Sequence, residues 1–176
     1  MAEADYTQAI AIDPNHATTY NNRGAIYCKQ GKWELAEADY TQAIALNPNY
    51  AEAYNNRGNL YHNQQQWELA EADYTQAIAL NPNYDGAYNN RGLLYADRQQ
   101  WELAEADFDR VISLDPNYAM AYGNRGLLCY RRGDRQAAIQ DLQTSAQLCQ
   151  RQGDLAGYQN VLELLTRVAK VENRDR

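Results

Sequence analysis

The sequence predicts an all-α chain built as a stack of antiparallel helix pairs, and three observations predict it. A unit of 34 residues recurs: "YNNRG" stands at 20–24, 54–58 and 88–92, and returns as "YGNRG" at 122–126. Within each unit the apolar residues fall three and four apart, the period of a helix, and do not alternate as in a strand. Glycine and proline are sparse and hold fixed places in the unit, which marks helices with sharp stops.

Counting unit positions from Ala17, Ala51, Asp85 and Ala119, the elements follow in order. Residues 1–16 match positions 19–34, so the chain opens on a half repeat holding a second helix only. Tyr6 and Ile10 then lack their usual cover, which another chain or upstream sequence is expected to supply. Full repeats occupy 17–50, 51–84 and 85–118, and a looser one occupies 119–152. On a helical wheel, positions 1, 4, 8 and 11 share an arc, giving Ala51, Tyr54, Gly58 and Tyr61 as one buried face. Positions 17, 20, 24, 27 and 28 share another, so Trp67, Ala70, Tyr74, Ala77 and Ile78 are expected to face it across Gly58 and Ala70. Pro82 then stops the second helix, because it lacks an N–H and pushes Asn81 out of the helical region. Residues 153–172 lose the proline, turn at Gly153-Asp154 and read as a C-terminal capping helix with Leu155, Leu162, Leu165 and Val168 inward. A charged tail, 173–176, follows.

The period of 34, with Tyr20-x2-Arg23-Gly24-x2-Tyr27, then Ala36-x3-Tyr40 and Pro48, resembles the tetratricopeptide repeat (TPR) family. The near-identical copies resemble bacterial arrays of cyanobacterial type. That resemblance implies a right-handed superhelical solenoid whose first helices line a concave, peptide-binding groove. Two residues depart from the family pattern: Tyr replaces Trp at position 4, and Arg replaces Leu at position 7.

The arginine requires a partner. Position 7 lies at about 340° on the wheel, at the edge of the buried arc. Position 23 is aspartate in every repeat and lies at about 140°, within the apolar arc of the second helix. Four structural ion pairs are therefore expected: Arg23 with Asp39, Arg57 with Asp73, Arg91 with Asp107, and Arg125 with Asp141. Charges on inward faces cost too much to leave unmatched. The competing arrangement has both side chains reaching outward into water.

The amides are read as the ligand face. The resemblance carries the groove to position 6, Asn22, Asn56, Asn90 and Asn124, and to position 5, Asn21, Asn55 and Asn89. An amide both donates and accepts, so a row of them can bond the backbone of an extended peptide without reading its side chains. A capping, solvating or bridging role competes, more so at position 5. Between the first two copies the second helix is unchanged, while positions 2, 9, 12 and 13 differ, so Asn59 and His62 join the expected groove. Tyr130 and Arg131 join it in the fourth repeat. Carboxylate-clamp binding of heat-shock proteins is not implied, because position 5 lacks lysine and position 2 offers Thr18, Glu52, Gly86 and Met120.

The remaining chemistry points away from catalysis. Glu34, Glu37, Glu68, Glu71, Glu102 and Glu105 fall on the outward arc of the second helices and read as a solvated face. Trp33, Trp67 and Trp101 read as packing anchors. Cys28, Cys129 and Cys149 are too few and too irregularly spaced for a disulfide framework or a zinc site. A net charge of -7 disfavours nucleic acid and anionic membrane, and no apolar run reaches the length of a span. The expectation is a non-enzymatic module without cofactor or metal, in a soluble, reducing, cytoplasmic setting. Its partner is a neutral to basic protein or peptide, with a homodimer through the half repeat as the alternative.

Overall fold

The computed structural model describes residues 2–170, which form ten α-helices and no strand. The opening half repeat is α1 (Ala2–Ile12). Then α2 (Ala17–Lys29) pairs with α3 (Trp33–Leu46), α4 (Ala51–Asn63) with α5 (Trp67–Leu80), α6 (Asp85–Asp97) with α7 (Trp101–Leu114), and α8 (Ala119–Arg131) with α9 (Arg135–Gln152). The last helix is α10 (Leu155–Lys170). Two compact units, Met1–Asn90 and Arg91–Arg176, divide the chain, with the boundary inside α6. The expected tail and the last two residues of the expected cap lie outside the described residues.

Two kinds of turn join the helices, each with its own chemistry. Every first helix ends in a Schellman motif, in which the backbone turns left-handed and two amides reach back to orphan carbonyls. In the first repeat, Lys32 N–H donates to the Tyr27 carbonyl and Gly31 N–H to that of Cys28. The left-handed residue is Gly31 at φ 71°, Gln65 at 59°, Gln99 at 58° and Gly133 at 87°. Every complete second helix before α9 ends in an Asx turn over its proline: the Asn47 side chain accepts from Asn49 N–H, Asn81 from Asn83, and Asp115 from Asn117. At Gln65 the left-handed backbone costs a side chain that glycine would not carry. Gln65→Gly is therefore expected to stabilise the chain by about 1 kcal/mol, read as a higher urea midpoint. A lower midpoint would contradict it.

The helix pair closes on its glycine. A Cβ on Gly24 would lie 2.8 Å from the Tyr40 ring, one on Gly58 2.8 Å from Tyr74, and one on Gly92 2.7 Å from Phe108. Tyr74, Phe108, Ala36, Ala70 and Ala104 are fully buried along this seam. A second seam joins neighbouring repeats: Leu60 packs into the cluster of Tyr27, Ala36 and Tyr40 from the repeat before. Positions 3 and 10 are buried in the later repeats too, as Ala87 and Ala121 and as Leu94 and Leu128, besides Ala53 in the second. The wheel for an isolated pair does not show this face.

Several expected core residues lie further out. Tyr54 is only half-buried, and Trp33 keeps 38% of its surface exposed because position 17 opens the second helix at its outer end. Tyr6 is half-buried where Tyr40 and Tyr74 are buried, while Ile10, like Ile44 and Ile78, is half-buried. Ile12 is the exposed large apolar residue of α1. In α10 the inward stripe is Tyr158, Val161, Leu165 and Val168, with Leu164, whereas Leu155 and Leu162 face solvent. Without an Asn-Pro-Asn stop, α9 runs 18 residues against 14 in α5. It ends in another Schellman turn at Gly153, φ 73°.

Candidate functional site

The arginines are spent inside the repeats. Arg57 Nε donates to Asp73 Oδ2 at 2.7 Å and Nη2 to Oδ1 at 2.9 Å, a planar two-point pair. Arg23 holds Asp39, Arg91 holds Asp107 and Arg125 holds Asp141 in the same way. The third nitrogen bridges to the preceding second helix, Arg57 Nη1 to Thr41 at 3.1 Å and Arg125 Nη1 to Asp109 at 2.5 Å. These bonds to Asp73 hold the Arg57 guanidinium above its already high range, against the opposing effect of burial. Tyr61, on the next turn, is pushed up to about 12, chiefly by burial. Its hydroxyl donates to Glu37 at 3.0 Å, so this glutamate ties two repeats together and is not merely solvated.

The two amides of the pentapeptide differ sharply. Asn21, Asn55 and Asn89 are buried, which removes them from any ligand face and corrects their expected place in the groove. Over Asn21 and Asn55 the next first helix supplies the cover. Asn21 Nδ2 donates to the Tyr50 hydroxyl at 3.3 Å and to Glu52 Oε1 at 3.4 Å, so its Oδ1 must accept. It accepts from Asn56 Nδ2 at 3.0 Å, and Asn55 Oδ1 accepts from Asn90 Nδ2 at 3.0 Å. Position 6 is half-buried. Asn56 and Asn90 are thus held by one N–H, while each keeps the second N–H and the oxygen uncommitted among the described residues. Asn22 carries no such tether, and Asn124 occupies the equivalent place in α8.

The other expected groove residues divide. Asn59 accepts the Tyr74 hydroxyl at 2.7 Å, so its oxygen serves the interior of its own repeat. His62 stands edge-on to Trp67 with ring centres 5.5 Å apart, and Tyr130 packs on the cluster around Ala138 and Leu142. Position 12 therefore leans toward the repeat's own second helix, a correction with a simple cause: it sits in the last turn, beside the incoming chain. Arg131 is exposed, 4.0 Å from the Asp97 carboxylate.

A residue not read from the sequence joins the site at the far end. A cavity of about 680 Å³ lies among α8, α9 and α10, and both Asn124 and Asn160 line it. In "YQNV", 158–161, Asn160 stands two residues after a tyrosine, as Asn124 does after Tyr122. The longer α9 shifts it two places out of the 34-residue register, which hides the match.

Sequence profiles described as tetratricopeptide repeat or TPR repeat match residues 5–38, 24–65, 51–84, 73–106 and 92–163, covering the chain without a gap from 5 to 163. The chain is a TPR protein. No curated protein matches it. Among solved structures, MamA is similar at 25% identity and a TM-score of 0.75, over 86% of this chain and 89% of that one. The first TPR of Spaghetti (RPAP3), bound to the HSP90 peptide SRMEEVD, shares 30% identity over 69% of this chain and 96% of its own, with a TM-score of 0.65. The Arabidopsis OM64 TPR domain shares 27% over 66% and 96%, with a TM-score of 0.63. No described helix of this TPR chain is long and apolar enough to cross a membrane.

Proposed function

We propose that this TPR chain is a non-enzymatic protein-interaction module that holds the backbone of an extended peptide on the position-6 amides of its first unit, Asn22, Asn56 and Asn90. The observation that carries this reading is the tether. Asn21 and Asn55 fix the orientation of Asn56 and Asn90 and leave each with one N–H and one oxygen outward. Those two groups complement the C=O and N–H of a peptide bond, and their ordering is complete before a ligand arrives. That the RPAP3 domain is similar and holds a peptide supports the class of ligand. The acidic surplus of the chain favours a neutral or basic one.

Peptides recovered from a displayed random library on the full chain test this reading. Asn56→Ala with Asn90→Ala is expected to weaken the best binder about tenfold, the equivalent of one or two net hydrogen bonds. N-methylation of the peptide backbone should do the same while many side-chain changes are tolerated. Thermal melts of the variant establish that it is folded at the assay temperature. Unchanged affinity in the double variant would refute the reading. Self-association through α1 is not favoured: the exposed Ala9 and Ile12 would be covered as well by a preceding helix as by a second copy.

A further inference from the structure

We infer that the cavity among α8, α9 and α10 receives a bulky aliphatic or aromatic side chain of a partner peptide that carries lysine or arginine beside it. From the peptide-binding reading it takes only the class of ligand; the position-6 tether plays no part in it.

The cavity exists because the repeat changes there. At position 5 the first three repeats carry a buried asparagine, whereas the fourth carries Gly123. A Cβ at Gly123 would lie 3.2 Å from Ser145 Oγ, an approach that only glycine makes without displacing the serine, and both residues line the cavity. Ser145 is not offered in exchange, since its hydroxyl donates to the Ala119 carbonyl at 2.8 Å. Position 2 changes as well, to Met120, which is 60% exposed, and position 9 is Leu127, a leucine as in the third repeat. With Val161 and Leu164 of α10 these make apolar walls around about 680 Å³, within the common size of ligand pockets, about 300–1,000 Å³.

Charge selects the neighbour of that side chain. The lining includes two carboxylates, Asp115 and Asp154, and no lysine or arginine. Asp115 accepts the Asn117 N–H and Asp154 the Gly157 N–H, turn and cap bonds that leave the negative charges in place. No basic side chain forms an ion pair with either among the described residues. Two unmatched carboxylates beside apolar walls favour a cation adjoining an apolar group and repel an acidic peptide.

The test uses the full chain and a displayed random-peptide library. Recovered sequences are expected to place Leu, Ile, Met or Phe within a residue or two of Lys or Arg. The best of them, synthesised with a fluorescent label, should lose about tenfold or more in affinity for Gly123→Asn, which restores the missing amide. Ala156→Arg should do likewise: position 156 lines the cavity yet is exposed, so the change puts bulk and opposing charge there without disturbing the core. Exchanging the peptide's basic residue for glutamate should match these losses. Failure to recover any binder, recovery of acidic sequences, or affinity indifferent to both variants would overturn the inference. Loss in Asn56→Ala with Asn90→Ala but not in the cavity variants would overturn it while leaving the amide reading intact, and the reverse pattern would do the opposite.

Discussion

Arg57→Leu is expected to destabilise the chain by about 3–5 kcal/mol, the cost of leaving a buried carboxylate without its partner. The Asp73 side chain retains 9% of its exposure and Arg57 17%, so little water is present to replace the lost bonds. Two hydrogen bonds to Asp73 and one to Thr41 vanish together. The guanidinium also lies 5.9 and 5.7 Å from the Tyr54 and Tyr61 ring centres, contacts that leucine replaces in part by packing. Asp73→Ala should cost a similar amount. Removing both should cost far less than the sum, because neither charge is then stranded; urea titration of the four species gives the coupling energy. A coupling near zero would show that the pair is worth nothing despite its geometry.

Gly58→Ala is expected to destabilise by about 1–3 kcal/mol even though alanine is the better helix former by about 1 kcal/mol. The new methyl would meet Tyr74 Cδ1 and Cε1 at 2.8 Å, and these are ring atoms of a fully buried side chain that has nowhere to turn. The clash belongs to the ring and not to its hydroxyl, since Phe108 approaches Gly92 just as closely. Tyr74→Phe should therefore fail to rescue Gly58→Ala, while Tyr74→Leu should recover part of the loss, as Leu142 stands against Gly126 in the fourth repeat. A melting temperature at or above that of the parent for Gly58→Ala would show that the helices separate without cost.

What repeats within one helix pair was legible in the sequence; what depends on a third helix was not. Gly58, Ala70 and Tyr74 face one another across a single pair, so a wheel for each helix locates them. Asn55 looks outward on that same wheel and Leu60 falls off its buried arc, and a neighbouring repeat covers both. The expectation for position 5 failed for this reason, and for position 6 the same covering supplies the tether. Trp67 packs edge-on to His62, and its place at the head of a helix leaves it half-buried where Ala70 and Tyr74 are buried. In α10 the four leucines and two valines fit a helical stripe in more than one rotation, and the contact with a lengthened α9 selects Val161 over Leu162.

The amide link between repeats is directional: position 5 of one copy accepts from position 6 of the next. Every copy that carries both residues can follow, or be followed by, any other such copy without a new interface having to arise. An in-frame duplication of 51–84 therefore brings its own fastening at both ends, and the array can lengthen by whole units. Gly123 withholds that fastening from whatever comes after it. The same glycine that lines the cavity of the fourth repeat therefore offers no amide to a copy placed after it.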